Sequence, residues 1–133
     1  MKYDINFREA ALFRHPDAHL IRGGGKGVEK ESLRITPNGH IAQSPHPRAL
    51  GSTLTHPSIT TDYSEALLEL ITPPFVEVSD TYEYLHQIHQ FLYHNLENDE
   101  LLWTASMPCV IGGESSIPIA WYGESNVGMM KHV

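Results

Sequence analysis

Residues 28–35 read VEKESLRI, an alternation of period two that suits a β-strand and sets Glu29 and Glu31 on one side with Leu33 and Ile35. No other stretch constrains the fold as tightly. Residues that should head for a core share a face with two like charges, whose α-carbons lie roughly 6.5 to 7 Å apart along a strand. Carboxylates so placed repel one another and lose hydration. A hard divalent cation such as Mg2+ relieves both costs, since it prefers carboxylate oxygen and leaves room for phosphate in its shell. Taken alone, the pair has a simpler reading, an exposed strand end at which both glutamates are solvated.

A second acidic run, TTDYSEALLELITPP, can be read in two ways. Asp62, Glu65 and Glu69 fall at steps of three and four and could line one face of a helix. As a strand, residues 66–72 put Leu67, Glu69 and Ile71 on one side and Ala66, Leu68 and Leu70 on the other, and the short length with apolar content on both faces favours a buried strand. Glu69 then interrupts an apolar run, where it needs a partner or a metal. Asp62 stands just ahead, where a loop meets the strand. Four acids from two segments, Glu29, Glu31, Asp62 and Glu69, make a candidate cation site.

Around these strands the clearest helix is SDTYEYLHQIHQFLYHNLEND, with Leu85, Ile88, Leu92 and Leu96 at helical spacing and Ser79 or Asp80 available as a cap. Its leucine stripe should pack on a sheet. INFREAALF predicts a shorter helix ending before Pro16. TPNGHIA carries an Asn-Gly pair suited to a hairpin turn, and SPHPRALGSTLTHPS, dense in Pro, Gly and Ser, reads as a surface loop. The stretch from Glu100 to Gly128 has short apolar runs broken by Pro and Gly, which suggests loops and one further strand. GGGKG lacks the order of a phosphate-binding loop, because Gly27 follows Lys26, and reads as a flexible approach to the strand. His86, His89 and His94 do not share one narrow helix face and read as polar residues flanking the stripe.

Charge and cysteine content narrow the function classes. Nine Lys and Arg against 16 Asp and Glu give a formal charge of -7, which argues against nucleic acid or an anionic membrane as a partner and favours a cation. The single cysteine, Cys109, rules out an internal disulfide framework and a cysteine-based zinc site, and reads as structural. No apolar run approaches the roughly 20 residues of a membrane span, and MKYDINFREA does not resemble a signal peptide, so a cytoplasmic location is expected. At 133 residues the chain has the size of one domain with a real core.

Four separated stretches, GVEKESLRI, HPRALGSTLTHPSITTDYSEALLELITP, SMP and YGESNVG, occur in the order and spacing of bacterial glutamate-cysteine ligase, also called gamma-glutamylcysteine synthetase. From about residue 10 onward the chain resembles the N-terminal part of that family. The resemblance implies an α+β fold like the catalytic domain of glutamine synthetase, an antiparallel sheet with packed helices, incomplete at this length; residues 1–133 would be the N-terminal portion of a catalytic domain. It implies that ATP phosphorylates the gamma-carboxylate of L-glutamate and that the amino group of L-cysteine displaces phosphate, the first step of glutathione synthesis. By the same resemblance Glu29 and Glu31 fall on the acids of the family's G-[LV]-E-x-E-x-L-R strand, and Asp62 and Glu69 on those of its T-T-D-[FY]-x-E-A-L-L-E segment. All four are thereby implied to hold Mg2+, with the paired glutamates facing inward as its ligands and no residue carried over as directly catalytic or nucleotide-binding. Family members are several times longer, which leaves room for a truncated product, a fragment or part of a split enzyme. Two other readings therefore stand beside the ligase: a non-catalytic module that binds a cation or nucleotide, and an inactive fragment that self-associates or pairs with a C-terminal segment through open sheet edges.

Overall fold

A computed structural model describes residues 5–21 and 23–122, so residues 123–128 of the YGESNVG stretch lie outside the described residues. The elements run α1 (Ile5–Arg14), α2 (Ala18–Ile21), β1 (Glu29–Ile35), β2 (Ile59–Thr61), β3 (Leu67–Ile71), α3 (Val78–Asn95) and β4 (Leu101–Leu102), with 3-10 turns at Arg48–Leu50 and Glu114–Ser116. The strands form one four-stranded antiparallel sheet in the order β2-β3-β1-β4, giving the α+β class that the sequence predicts. The run expected as a strand over 66–72 forms β3, Leu67–Ile71, and is not a helix. Among the described residues no helix is long and apolar enough to cross a membrane.

Strand alternation explains where the main core forms. Leu68 and Leu70 of β3 and Ile59 of β2 project to one face of the sheet, where α3 lays Ile88 and Leu92 on them, flanked by Leu85 and Leu96. The leucine stripe does pack on the sheet. Leu50 and Leu102 complete this cluster, so the Pro- and Gly-rich loop is more than a surface connection: it inserts Leu50 under α3, and Pro47 is fully buried beside it. Periodicity carries no signal for such an insertion. The α3 cap also differs from expectation, since the N-cap is Glu77 with no side-chain capping bond.

The opposite face carries a second cluster of Ile35, Ile41, Ala42, Ala66 and Cys109, with Leu33, Trp103, Ile111 and Ile117 packed against it. Cys109 is buried there and its thiol is pushed up by desolvation, consistent with a structural residue. The Asn-Gly turn forms as predicted: Thr36 N donates to His40 O at 2.8 Å, Gly39 N to Thr36 O at 2.9 Å, and Gly39 takes φ +80°, a conformation glycine adopts without strain. The glycine-rich approach to β1 is tied down rather than free. Lys26 pairs with Phe75, its Nζ donates to Gly24 O at 2.9 Å and Val76 O at 2.7 Å, and a Cβ on Gly25 would meet Pro74 Cβ at 3.0 Å.

Candidate acidic site on the open sheet face

The register of β1 against β3 sets Glu31 directly opposite Glu69 and Glu29 opposite Ile71. Arg34 N donates to Ala66 O and Thr72 N to Val28 O, so the even residues of β1 form the hydrogen-bonded pairs with β3. Glu31 and Glu69 are therefore a non-hydrogen-bonded pair, the closer kind, with α-carbons about 4.5 Å apart. On the far side Thr60 pairs with Glu69, and Asp62 N donates to Leu67 O at 3.2 Å, carrying the register one step beyond β2. Parity thus places Glu29, Glu31, Glu69, Thr60 and Asp62 on one face, the face away from α3. Glu29 and Glu31 are exposed, and Asp62 and Glu69 half-buried. The expectation that the paired glutamates face inward is corrected here. The face they share with Leu33 and Ile35 is apolar only at its far end, and the α3 core lies behind the other face.

Like charges placed directly opposite on a sheet destabilise it, so Glu31 and Glu69 facing one another form an arrangement that a cation would relieve. The donors are all hard oxygens, the chemistry Mg2+ selects. Among the described residues no three His, Cys, Asp or Glu side chains are already gathered tightly enough to hold a metal ion. The backbone brings the acids to one face without gathering three of them into a tight cluster. Lys30, between the two glutamates in sequence, belongs to the other strand face, where its Nζ donates to Ser32 Oγ and burial pushes its pKa down.

Next to Glu31 a groove of about 670 Å3 runs toward the second apolar cluster, floored by Leu33 and Leu67 and walled by Trp103, Met107 and Pro108. Its wall is the SMP stretch, and Trp103 Nε1 fastens it by donating to Met107 O at 2.6 Å.

Behind the acidic face lies a buried polar network that sequence reasoning missed. Arg34 is fully buried; its Nη1 donates to Glu100 Oε2 at 2.7 Å and Ser44 Oγ at 2.6 Å, and its Nη2 to Ser44 O and Glu65 O, both at 2.9 Å. Ser44 Oγ in turn donates to Glu100 Oε1. Glu65 is buried as well, and its carboxylate accepts His46 N at 2.8 Å and Trp121 N at 2.7 Å. A signal was available: Ser32 and Arg34 have the same parity as Lys30, on the face that Leu68 and Leu70 require to be covered. His86 stacks on Tyr82 and His89 Nδ1 bonds Leu85 O at 2.9 Å, in keeping with ordinary helix-surface roles.

Burial, followed by the nearby Arg34 guanidinium, pushes the pKa of His46 below its ordinary 6.5. The unfolded chain therefore takes up this proton first as pH falls, so the contribution of His46 to stability is intact above pH 6.5 and is lost as acidity increases through the depressed folded value. Urea unfolding at pH 7.5 and pH 5.5 should show a lower midpoint in acid, and His46→Gln should reduce that fall. An unchanged fall in the variant would assign it to other groups.

A carboxylate-faced antiparallel sheet, backed by one long helix and flanked by an apolar groove, defines an α+β domain built to gather charge on one surface. Comparison with known proteins gives that class a family. The sequence model of glutamate-cysteine ligase matches residues 10–133, and the chain belongs to the glutamate-cysteine ligase family. It is 58% identical over 123 residues to the glutamate-cysteine ligase of Alcanivorax borkumensis, covering 92% of this chain and 23% of that protein. With the Saccharophagus degradans ligase it shares 50% identity over 131 residues, covering 98% of this chain and 24% of that one. The crystal structure of glutamate-cysteine ligase from Francisella tularensis in complex with AMP superimposes with a TM-score of 0.76 at 41% identity, over 82% of this chain and 22% of that one. A bifunctional glutathione synthetase from Pasteurella multocida superimposes at 0.72 and 37% identity, over 90% and 16%. The chain thus spans about a quarter of the length of these curated ligases.

Proposed function

We propose that this chain is the N-terminal part of an ATP-dependent ligase that joins the gamma-carboxylate of L-glutamate to the amino group of L-cysteine, in the cytoplasm. The observation that carries the reading is the cross-strand pair Glu31 and Glu69 on an open sheet face, in a chain of this family. Glu29, Glu31, Asp62 and Glu69 would hold Mg2+, which supplies neutralisation of phosphate charge and a template for ATP. Phosphoryl transfer depends chiefly on positioning and electrostatics, so rigid presentation of acids by paired strands is a suitable contribution from the protein. The groove beside Glu31 offers room for a substrate with water partly excluded. Family membership and the AMP complex of the Francisella relative support the nucleotide part of this reading.

The test is phosphate release dependent on ATP, glutamate and cysteine together. A complete ligase carrying this segment should release phosphate and form gamma-glutamylcysteine, whereas the 133-residue chain alone should be inactive, because it spans only about a quarter of the length of the ligases it matches. Turnover by the chain alone would show that the site is more complete than proposed. A complete ligase indifferent to glutamate or cysteine would overturn the assignment.

A non-catalytic, self-associating role is less well supported. The outward edge of β2 is blunted: Ile59 N donates to His56 Nδ1 at 2.8 Å, and Thr61 O accepts Tyr122 OH at 2.7 Å.

A further inference from the structure

Glu65 lies three residues beyond Asp62 and is 8% exposed, yet among the described residues no cationic side chain forms an ion pair with its carboxylate; both oxygens accept backbone N–H groups, one from each of two distant segments. A buried carboxylate is costly unless its acceptor capacity is filled, so such a clasp is stable only when both segments stay in place. The two segments are unequal in what they do. The His46 side belongs to the loop that inserts Leu50 under α3. The Trp121 side belongs to residues 118–122, which run antiparallel to the turn leading into β3.

Bonds between that strap and the turn flank Asp62 on both sides. Glu65 N and Ser64 Oγ both donate to Pro118 O at 2.9 Å, Ala120 N donates to Tyr63 O at 3.0 Å, and Tyr122 OH reaches Thr61 O at 2.7 Å and Asp62 O at 3.4 Å. Asp62 N is held from the other side by Leu67 O. The backbone of Asp62 is thus gripped by β3 on one flank and the strap on the other, and the Glu65 carboxylate anchors the strap. We propose that Glu65 is a positioning residue: by clasping the N–H groups of His46 and Trp121 it registers the 118–122 strap against the 61–65 turn and so sets where Asp62 stands on the acidic face. The proposal rests on the ligase reading above and deepens it, because Glu65 belongs to the same motif as Asp62 and Glu69 but acts through the backbone.

Glu65→Gln is the discriminating variant. It keeps the volume, but its NH2 group must face one of the two N–H donors, so one half of the clasp is lost. In the metal-free 133-residue chain, amide hydrogen exchange at Trp121 or His46 should quicken by at least about 10-fold, with the Leu68 and Leu70 amides little changed. In a complete ligase the half-saturating Mg2+ concentration should rise about 10- to 100-fold, the usual consequence of releasing a residue that orients a ligand. Tyr122→Phe, which keeps the clasp but removes the hydroxyl contacts, should shift it in the same direction by less. Leu92→Ala, a core change remote from the strap, should lower the thermal midpoint without moving the Mg2+ requirement. If Glu65→Gln behaves like Leu92→Ala, Glu65 is merely structural and the proposal is overturned. Unchanged Mg2+ dependence in Asp62→Asn would instead sink the metal reading and the functional half of this proposal, while the exchange rates still decide whether the clasp exists.

Discussion

Glu100→Ala should destabilise the chain by about 3–5 kcal/mol, because it leaves a fully buried guanidinium without its carboxylate partner. Left without that carboxylate, the Arg34 guanidinium must find another acceptor, admit water or abandon the core. Ser44 would lose a partner in the same step. Urea unfolding of the two chains measures the difference. The double variant Arg34→Met, Glu100→Leu should recover much of the loss, since apolar residues of similar size often replace a buried ion pair at little cost. A loss under about 1 kcal/mol in Glu100→Ala would mean that water already shares this site.

Glu69→Gln should separate activity from stability with opposite signs. In a complete ligase it removes a charged oxygen from the proposed cation site while keeping shape, and turnover should fall by at least about 100-fold with a higher Mg2+ requirement. In the metal-free chain it removes one of two like charges in a close cross-strand pair, which should raise stability by about 0.2–1 kcal/mol. Glu31→Gln should do the same from the other strand, and the two changes together should stabilise by less than their sum, since the first has already removed the repulsion. A fall in both activity and stability, with normal Mg2+ dependence, would make these structural acids.

How far this was legible in the sequence depended on where each residue's neighbours lie along the chain. The β1 alternation and the α3 stripe are local patterns, and both appeared where the residues put them. The shared face of Glu31 and Glu69 needed only correct parity in two strands. Which face met the helix was harder: Leu33 and Ile35 pointed to one side and Leu68 and Leu70 to the other, and the sheet has an apolar cluster on each. The Arg34–Glu100 pair spans 66 positions and the Glu65–Trp121 clasp 56, so no periodicity announces them. An arginine and a glutamate at buried positions look like ordinary surface charges until the partner is known. The four acids were nominated by the two strand patterns and the family motifs, and strand parity sets them on one sheet face, whereas the strap that holds Asp62 in place has no counterpart in pattern.

The burial of Arg34 behind the sheet bears also on how the chain avoids pairing its strands wrongly. Since side chains alternate with a period of two, a slip of β1 by a single residue would carry Glu29 and Glu31 round to the layer of Leu68 and Leu70 and expel Arg34 to the open side. The slipped sheet would bury two carboxylates with no cation near them and strand Glu100 alone. Such an alignment is penalised twice over. The same charged alternation therefore acts as a check on strand alignment during folding, and a chain with apolar residues at 34 and 100 would tolerate the misaligned pairing more readily.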